Sequence, residues 1–241
     1  MRNNRSFNEP RKLDLIPNFN RYAEGSCLIK LGNTQVICTA SIEERVPHWL
    51  KNKGLGWITA EYGMLPRSTH SRMEREAIKG KQSGRSSEIQ RLIGRSLRSI
   101  VRLEKIPEKQ IKVDCDVIQA DGGTRTASIN GGFVALAIAL KKYQSVYNIS
   151  ENIIKEHIAA ISCGIINGEE NLDLDYEEDS KADVDANFVI TESESIIEIQ
   201  STTEKSNFTE KQFLNMMNLA KNEIKQIILL QKKVLKDIGQ I

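Results

Sequence analysis

Short apolar runs at residues 27–31 and 35–42 flank Gly32-Asn33-Thr34. Two such runs around a small glycine turn predict a β-hairpin. Between residues 51 and 71, Gly54, Gly56, Gly63 and Pro66 surround a single apolar stretch, which predicts loop, strand and loop. With Ser86 or Ser87 as N-cap, Ile89, Leu92, Ile93, Leu97, Ile100 and Val101 then recur at helical spacing. Arg91, Arg95, Arg98 and Arg102 lie off that stripe, so the helix is amphipathic with a basic face. After Pro107 the period changes to two: Ile111, Val113, Cys115 and Val117 alternate with Lys112, Asp114 and Asp116, as a half-buried strand requires.

A glycine turn, Ala120-Asp121-Gly122-Gly123-Thr124-Arg125-Thr126, leads into residues 127–142, a run of small and apolar residues that predicts a buried helix. Strands are expected at residues 158–166, near 172–176, at 186–191 and at 195–200. A closing helix from about 209 to 236 carries Phe213, Met216, Met217, Ala220, Ile224, Ile227 and Ile228 on one stripe, for the core or a subunit contact. This order predicts an α+β fold, with helices packed on largely antiparallel or mixed sheets and room for a twofold β/α duplication. No low-complexity linker divides the chain, and residues 1–241 read as one domain.

Composition narrows the class. The N-terminus has no continuous apolar segment of the secretory kind, and no apolar run is long enough to cross a bilayer, so a soluble cytoplasmic protein is expected. Cys27, Cys38, Cys115 and Cys163 each stand alone in apolar surroundings and read as reduced core residues. His48, His70 and His157 are too scattered for a zinc site and read as packing or surface residues. The net charge of +2 conceals an asymmetry: residues 67–105 hold eleven Lys or Arg against four Glu, and residues 167–198 hold twelve Asp or Glu against Lys181 alone. The first tract suits a polyanion and the second a divalent cation. Charge alone slightly favours a simpler reading, in which solvated faces compensate one another.

Specific residues sharpen the choice. Gly122-Gly123 lets backbone approach a ligand where a helix begins, and Arg125 adds a planar fork for a phosphate between two threonine hydroxyls. Taken alone, such a turn is more often an ordinary strand-to-helix connection. Asp179, Asp183 and Asp185 can supply carboxylates to a hard cation, with Asp183 and Asp185 on one face of an extended backbone. A solvated acidic loop is the plainer alternative, weakened by the apolar strand that begins at Ala186. An RNA-cleaving histidine pair is poorly supplied. Attack by phosphate itself needs none, because phosphate is already anionic and must chiefly be positioned and neutralised.

Four blocks carry a resemblance: GWITAEYGMLPRSTHSR from Gly56, GRSSEIQRLIGRSLR from Gly84, VDCDVIQADGGTRTASINGG from Val113 and YEEDSKADVDANFV from Tyr176. In this order and spacing they resemble the bacterial ribonuclease PH family across nearly the whole chain. The resemblance implies a duplicated β/α fold like a ribosomal-protein domain. It also implies 3′-to-5′ phosphorolysis of RNA, releasing nucleoside diphosphates and running in reverse as nucleotidyl transfer, with tRNA precursors and some ribosomal RNA as substrates. Arg85, Gly123, Thr124 and Arg125 would hold inorganic phosphate. Asp179 and Asp185 would be the catalytic and magnesium-binding carboxylates, with Asp183 a further candidate ligand. Arg67, Arg72 and Arg75 would guide RNA. A homohexamer, three dimers in a ring, would repeat these basic faces along one RNA path, with no membrane partner.

Two rivals remain. A hydrolytic metal-dependent exonuclease would use the aspartates but leaves Arg85 and Gly123-Thr124-Arg125 unexplained. A catalytically silent RNA-binding ring subunit of exosome type would share the fold while lacking part of the site.

Overall fold

In a computed structural model, which describes residues 5–203, 205 and 207–239, the predicted hairpin is the centre of the first sheet. Strand β1 (Leu13–Pro17) lies antiparallel to β2 (Gly25–Leu31), which turns through Gly32 and Asn33 into β3 (Thr34–Glu43). Strand β4 (Trp57–Met64), helix α1 (Glu76–Lys79) and helix α2 (Gly84–Ser99) follow, then β5 (Gln110–Gln119). The sheet order is β1-β2-β3-β5-β4, with β5 antiparallel to β3 but parallel to β4, so the sheet is mixed. Helix α2 starts before the expected position because Ser83 is the cap: its hydroxyl accepts from the Ser86 N–H at 3.1 Å, while the buried Ser86 hydroxyl donates to Glu76 at 2.7 Å.

Helix α3 (Thr124–Tyr147) is buried on all sides from Thr126 through to Ala139, which explains its small and apolar composition in place of an amphipathic stripe. It packs on β2 and β3 and also on β6 (Ile158–Ile166) of a second sheet. Asn130 pins the second contact: its amide donates to the Ala160 carbonyl at 2.9 Å and accepts from the Ala160 N–H at 2.8 Å. Each half of that exchange would leave a buried polar group unpaired if Asn130 were apolar.

The second sheet joins β6 with β7 (Glu169–Leu172), β8 (Val184–Thr191) and β9 (Ile196–Thr203), antiparallel throughout in the order β7-β6-β8-β9. Between β7 and β8 the chain forms a short helix, α4 (Tyr176–Lys181), which begins at Tyr176, the last residue of the strand expected near 172–176. A capping box decides the matter locally. The Asp175 carboxylate accepts from the Glu178 N–H and the Glu178 carboxylate accepts from the Asp175 N–H, satisfying two donors at the helix start. Helix α5 (Glu210–Asp237) begins at a second such box, Thr209 with Gln212, and lays Met216, Ala220, Ile224 and Ile228 against Phe188 and Ile190 of the second sheet. The α+β expectation with mixed sheets is met. All four cysteines are buried free thiols, and among the described residues no helix is long and apolar enough to cross a membrane.

Candidate active site

The loop between β5 and α3 is shaped by two consecutive glycines in the left-handed region, Gly122 at φ 74° and Gly123 at φ 66°. A Cβ on Gly122 would lie 2.5 Å from the Leu174 carbonyl oxygen, so a side chain there would push the loop away from α4. Arg11 clasps the same junction. Its backbone N–H and its Nε donate to Asp173 Oδ2 at 2.7 and 2.9 Å, its Nη2 donates to Asp173 Oδ1 at 2.6 Å and to the Leu174 carbonyl at 3.1 Å, and its Nη1 donates to the Asp121 carbonyl. Thr34 completes the support by donating to the Gly122 carbonyl at 2.6 Å and accepting from the Asp121 N–H at 2.9 Å.

Because Gly123 is the N-cap of α3 and brings no side chain, the helix starts without a capping oxygen, and its first N–H bonded to the turn is that of Ala127, on the Gly123 carbonyl. The N–H groups of the first turn are therefore available to an anion, at the positive end of a 24-residue helix. They border a cavity of about 470 Å³ whose walls include Arg85, Gly123, Thr124, Arg125, Asp179 and Asp185. Six expected residues from three separate stretches of the sequence thus converge on one space.

Each arrives on its own support. Arg125 is mostly buried and held by Gln200 of β9, whose Oε1 accepts from it at 2.7 Å, and by Glu88 of α2 at 3.5 Å. Gln200 in turn donates to Glu88 at 2.9 Å, closing a triangle that anchors the Nη1 end of the guanidinium. Arg85, exposed at the start of α2, has no protein partner among the described residues. Asp179 stands on α4, exposed. Asp185 is half-buried on β8, opposite Gly164 of β6, and accepts from the Asn187 amide at 3.4 Å.

Asp183 does not line the cavity. It precedes β8, and its carboxylate instead accepts from the Asn167 N–H at 3.1 Å, closing the turn between β6 and β7. The shared face expected for Asp183 and Asp185 is not used in common, because Asp183 lies level with that turn.

Arg67, Arg72 and Arg75 are all exposed on the loop after β4, outside the cavity wall, while Thr69, His70, Ser71 and Met73 of the same loop line it. Backbone bonds from Met73 to Pro66 and from Ala120 to Ser68, both 2.8 Å, hold that loop against the β5–α3 connection. His70, expected as a packing or surface residue, meets Tyr176 edge to face at 5.6 Å, and both line the cavity beside Met64 and Met73. One space therefore combines anion donors, carboxylates and an aromatic and thioether wall.

A larger opening of about 620 Å³ has the opposite chemistry. Glu61, Asp114 and Asp116 line it; burial and then the Glu61 charge raise the carboxyl pKa values of both aspartates. With four carboxylates against Lys81 alone among the described residues, this opening disfavours an anion. Among the described residues no group of three or more His, Cys, Asp or Glu forms a closed metal cage. Two carboxylates beside the anion-donor cavity still fit magnesium, which binds few protein ligands and completes its shell with water and substrate oxygens.

Charge and motif reasoning missed Gln200, which bonds Arg125 directly, and Arg11 with Asp173, which brace the loop that carries Gly123. Glu88 was visible as part of the Gly84 block, but nothing in the sequence linked it to Arg125.

The chain matches the model of the 3′ exoribonuclease family, domain 1, over residues 9–142 and that of its domain 2 over residues 157–223. Among solved structures, rice (Oryza sativa) Rrp46 superposes with a TM-score of 0.76 at 20% identity, covering 96% of this chain and 98% of that one. The Archaeoglobus fulgidus exosome with RNA bound to the active site gives 0.77 at 22%, covering 92% and 89%. An archaeal exosome core gives 0.72 at 22%, covering 95% and 89%.

Proposed function

Because this chain belongs to the 3′ exoribonuclease family of RNase PH domains, we propose that it shortens RNA from the 3′ end by phosphorolysis. The observation that carries this reading is the convergence of Arg85, Thr124, Arg125, Asp179 and Asp185 on one cavity beneath an uncapped helix start. Hydrolysis would call for carboxylates and water; it gives no reason for two arginines and a helix N-terminus beside them.

Inorganic phosphate is held by Arg85, the Arg125 fork, the Thr124 hydroxyl and the first N–H groups of α3. One of its oxygens attacks the phosphorus of the last phosphodiester. A new P–O–P bond forms as the bond to the 3′ oxygen of the penultimate nucleotide breaks. That oxygen leaves with the shortened RNA and takes a proton, and the product is a nucleoside diphosphate. Asp179 and Asp185 would hold magnesium, which supplies charge neutralisation between the two reacting anions when bound. Holding Arg125 between Gln200 and Glu88 lowers the cost of reorganisation as charge develops.

Arg67, Arg72 and Arg75 guide the RNA strand, and a homohexameric cytoplasmic ring acting on tRNA precursors is the form this reading takes. A second reading, an exosome-type ring subunit, rests on the near full-length fold shared with two exosome structures, and a silent subunit is its non-cleaving form. One assay separates the readings. Single-stranded RNA tails are incubated with protein and magnesium, with and without phosphate. Diphosphates released only with phosphate support phosphorolysis, phosphate-independent monophosphates indicate hydrolysis, and RNA bound without release supports the silent subunit.

A further inference from the structure

Tyr62 of β4 is 4% exposed, and its hydroxyl lies 2.8 Å from Thr124 Oγ1 at the first residue of α3. Thr124 faces the anion cavity, whereas Tyr62 does not line it. The phenol therefore reaches the site only through the threonine. We propose that Tyr62 is a positioning residue of the phosphate subsite: it donates its proton to Thr124 Oγ1 and so leaves the threonine proton free to bond a phosphate oxygen. The inference rests on the phosphorolytic reading of this cavity.

The argument is one of proton counting. A threonine hydroxyl has one proton and two lone pairs, and a phosphate oxygen at the subsite offers only lone pairs. If Thr124 spent its proton on Tyr62, it would turn lone pairs towards the anion and repel it. The phenol is the stronger acid of the two hydroxyls, and among the described residues Thr124 is its one hydrogen-bond partner. Tyrosine as donor and threonine as relay is the arrangement that satisfies both groups once an anion is bound, and successive bonds in such a chain strengthen one another.

The surroundings keep that proton on the phenol. Burial, the largest influence, raises the pKa of Tyr62 despite the nearby charges of Arg85 and Arg125, so the group stays a neutral donor at physiological pH. Thr124 is itself held in place, since its carbonyl accepts from the Ser128 hydroxyl at 2.8 Å one turn on. That bond holds the main chain, and the Tyr62 bond to Oγ1 restrains the side chain and the direction of its hydroxyl.

The test compares wild type, Tyr62→Phe, Thr124→Val and the double variant, reading KM for phosphate, KM for RNA and the rise in melting temperature caused by inorganic phosphate alone. Tyr62→Phe is expected to raise phosphate KM by roughly twofold to tenfold and to shrink the phosphate-induced melting shift, with RNA KM unchanged. Adding it to Thr124→Val should do almost nothing more, because the two residues act through one proton. Unchanged phosphate KM and melting shift in Tyr62→Phe would overturn the relay. So would effects that multiply in the double variant, or an equal loss in RNA KM. If wild type performs no phosphorolysis, the functional reading falls by itself, and the melting shift with phosphate still decides the fate of the relay.

Discussion

The Arg11 guanidinium and the Asp173 carboxylate meet at 2.6 Å with both side chains buried, and together they tie the N-terminal segment to the junction of the glycine turn with α4. Leaving one charge of a buried ion pair unpaired typically costs about 3–5 kcal/mol, but Asp173 also meets Arg5 Nη1 at 3.5 Å, which tempers the loss. With Arg5 still in place, Arg11→Ala is expected to lower stability by less than that, about 2–3 kcal/mol in a denaturant titration. It should also weaken phosphate binding, since Gly122 and Gly123 lose their brace. A loss below about 1 kcal/mol would show that Asp173 finds compensation elsewhere.

Arg125→Lys keeps the charge but loses the planar fork that bonds Gln200 and, in the proposed reaction, a phosphate. Losing one charged hydrogen bond, about 1.5–3 kcal/mol, predicts roughly a tenfold to hundredfold fall in kcat/KM for phosphate, with RNA affinity nearly unchanged. Gln200→Ala should cause a smaller loss of the same kind, because Glu88 still restrains the guanidinium. Phosphate titrations at saturating RNA would check both.

The parts of this site that announce themselves in sequence are those defined by local chemistry. Gly122-Gly123 before a helix, Arg125 beside it and the aspartates ahead of an apolar strand each have a physical signature over a few residues. Arg11 does not: its partners lie far along the chain, and only the packing of the first sheet against the α4 region brings Asp173 to it. Gln200 is likewise one polar position on a half-buried strand until β9 pairs with β8 and reaches Arg125. Strand β1 escaped notice because Leu13–Pro17 is short and lies at a sheet edge. At Tyr176 the period misled, since a capping box turned an expected strand end into the helix that carries Asp179.

The exposed arginine loop should act through charge alone. Each phosphate contact on single-stranded nucleic acid contributes about 0.7 to the slope of log affinity against log salt. Arg67→Ala combined with Arg72→Ala is therefore expected to reduce the slope by about 1.4 while leaving phosphate KM in place. Fluorescence titrations of an RNA tail at several salt concentrations would measure it, after sedimentation has established that the assembly is intact. An unchanged slope would remove both residues from the RNA path.

Glu223 on α5 introduces a pH dependence remote from catalysis. Burial, and then the Asp173 charge, push its carboxyl up to about 7 from an ordinary 4.5. A carboxyl whose pKa is raised on folding contributes stability that is fully present below about 4.5 and is lost as pH rises through about 7. Partial exposure discounts the effect to about 1–2 kcal/mol. Melting temperature should fall between pH 5 and 8 more steeply in wild type than in Glu223→Gln, and parallel curves would refute the assignment.

The two aspartates that flank the start of β8 should separate cleanly. Asp185 lines the cavity together with Arg85 and Arg125, the arginines proposed to hold phosphate, while Asp183 accepts from the Asn167 N–H at the β6–β7 turn. Asp185→Asn keeps size and removes the anion, so turnover should fall even at saturating phosphate and RNA. High magnesium should restore part of it if cation affinity is the main loss. Asp183→Asn can still offer an oxygen to the turn, so its expected effect is a stability loss of about 1 kcal/mol or less with turnover preserved. The distinction is read from kcat against magnesium concentration for each variant, with melting temperature recorded alongside. Should Asp183→Asn abolish turnover while Asp185→Asn behaves like wild type, the cation would belong to the turn and not to the cavity. Should both variants keep full activity, neither carboxylate would hold it, and the neutralisation of the two reacting phosphates would fall to Arg85 and Arg125 alone.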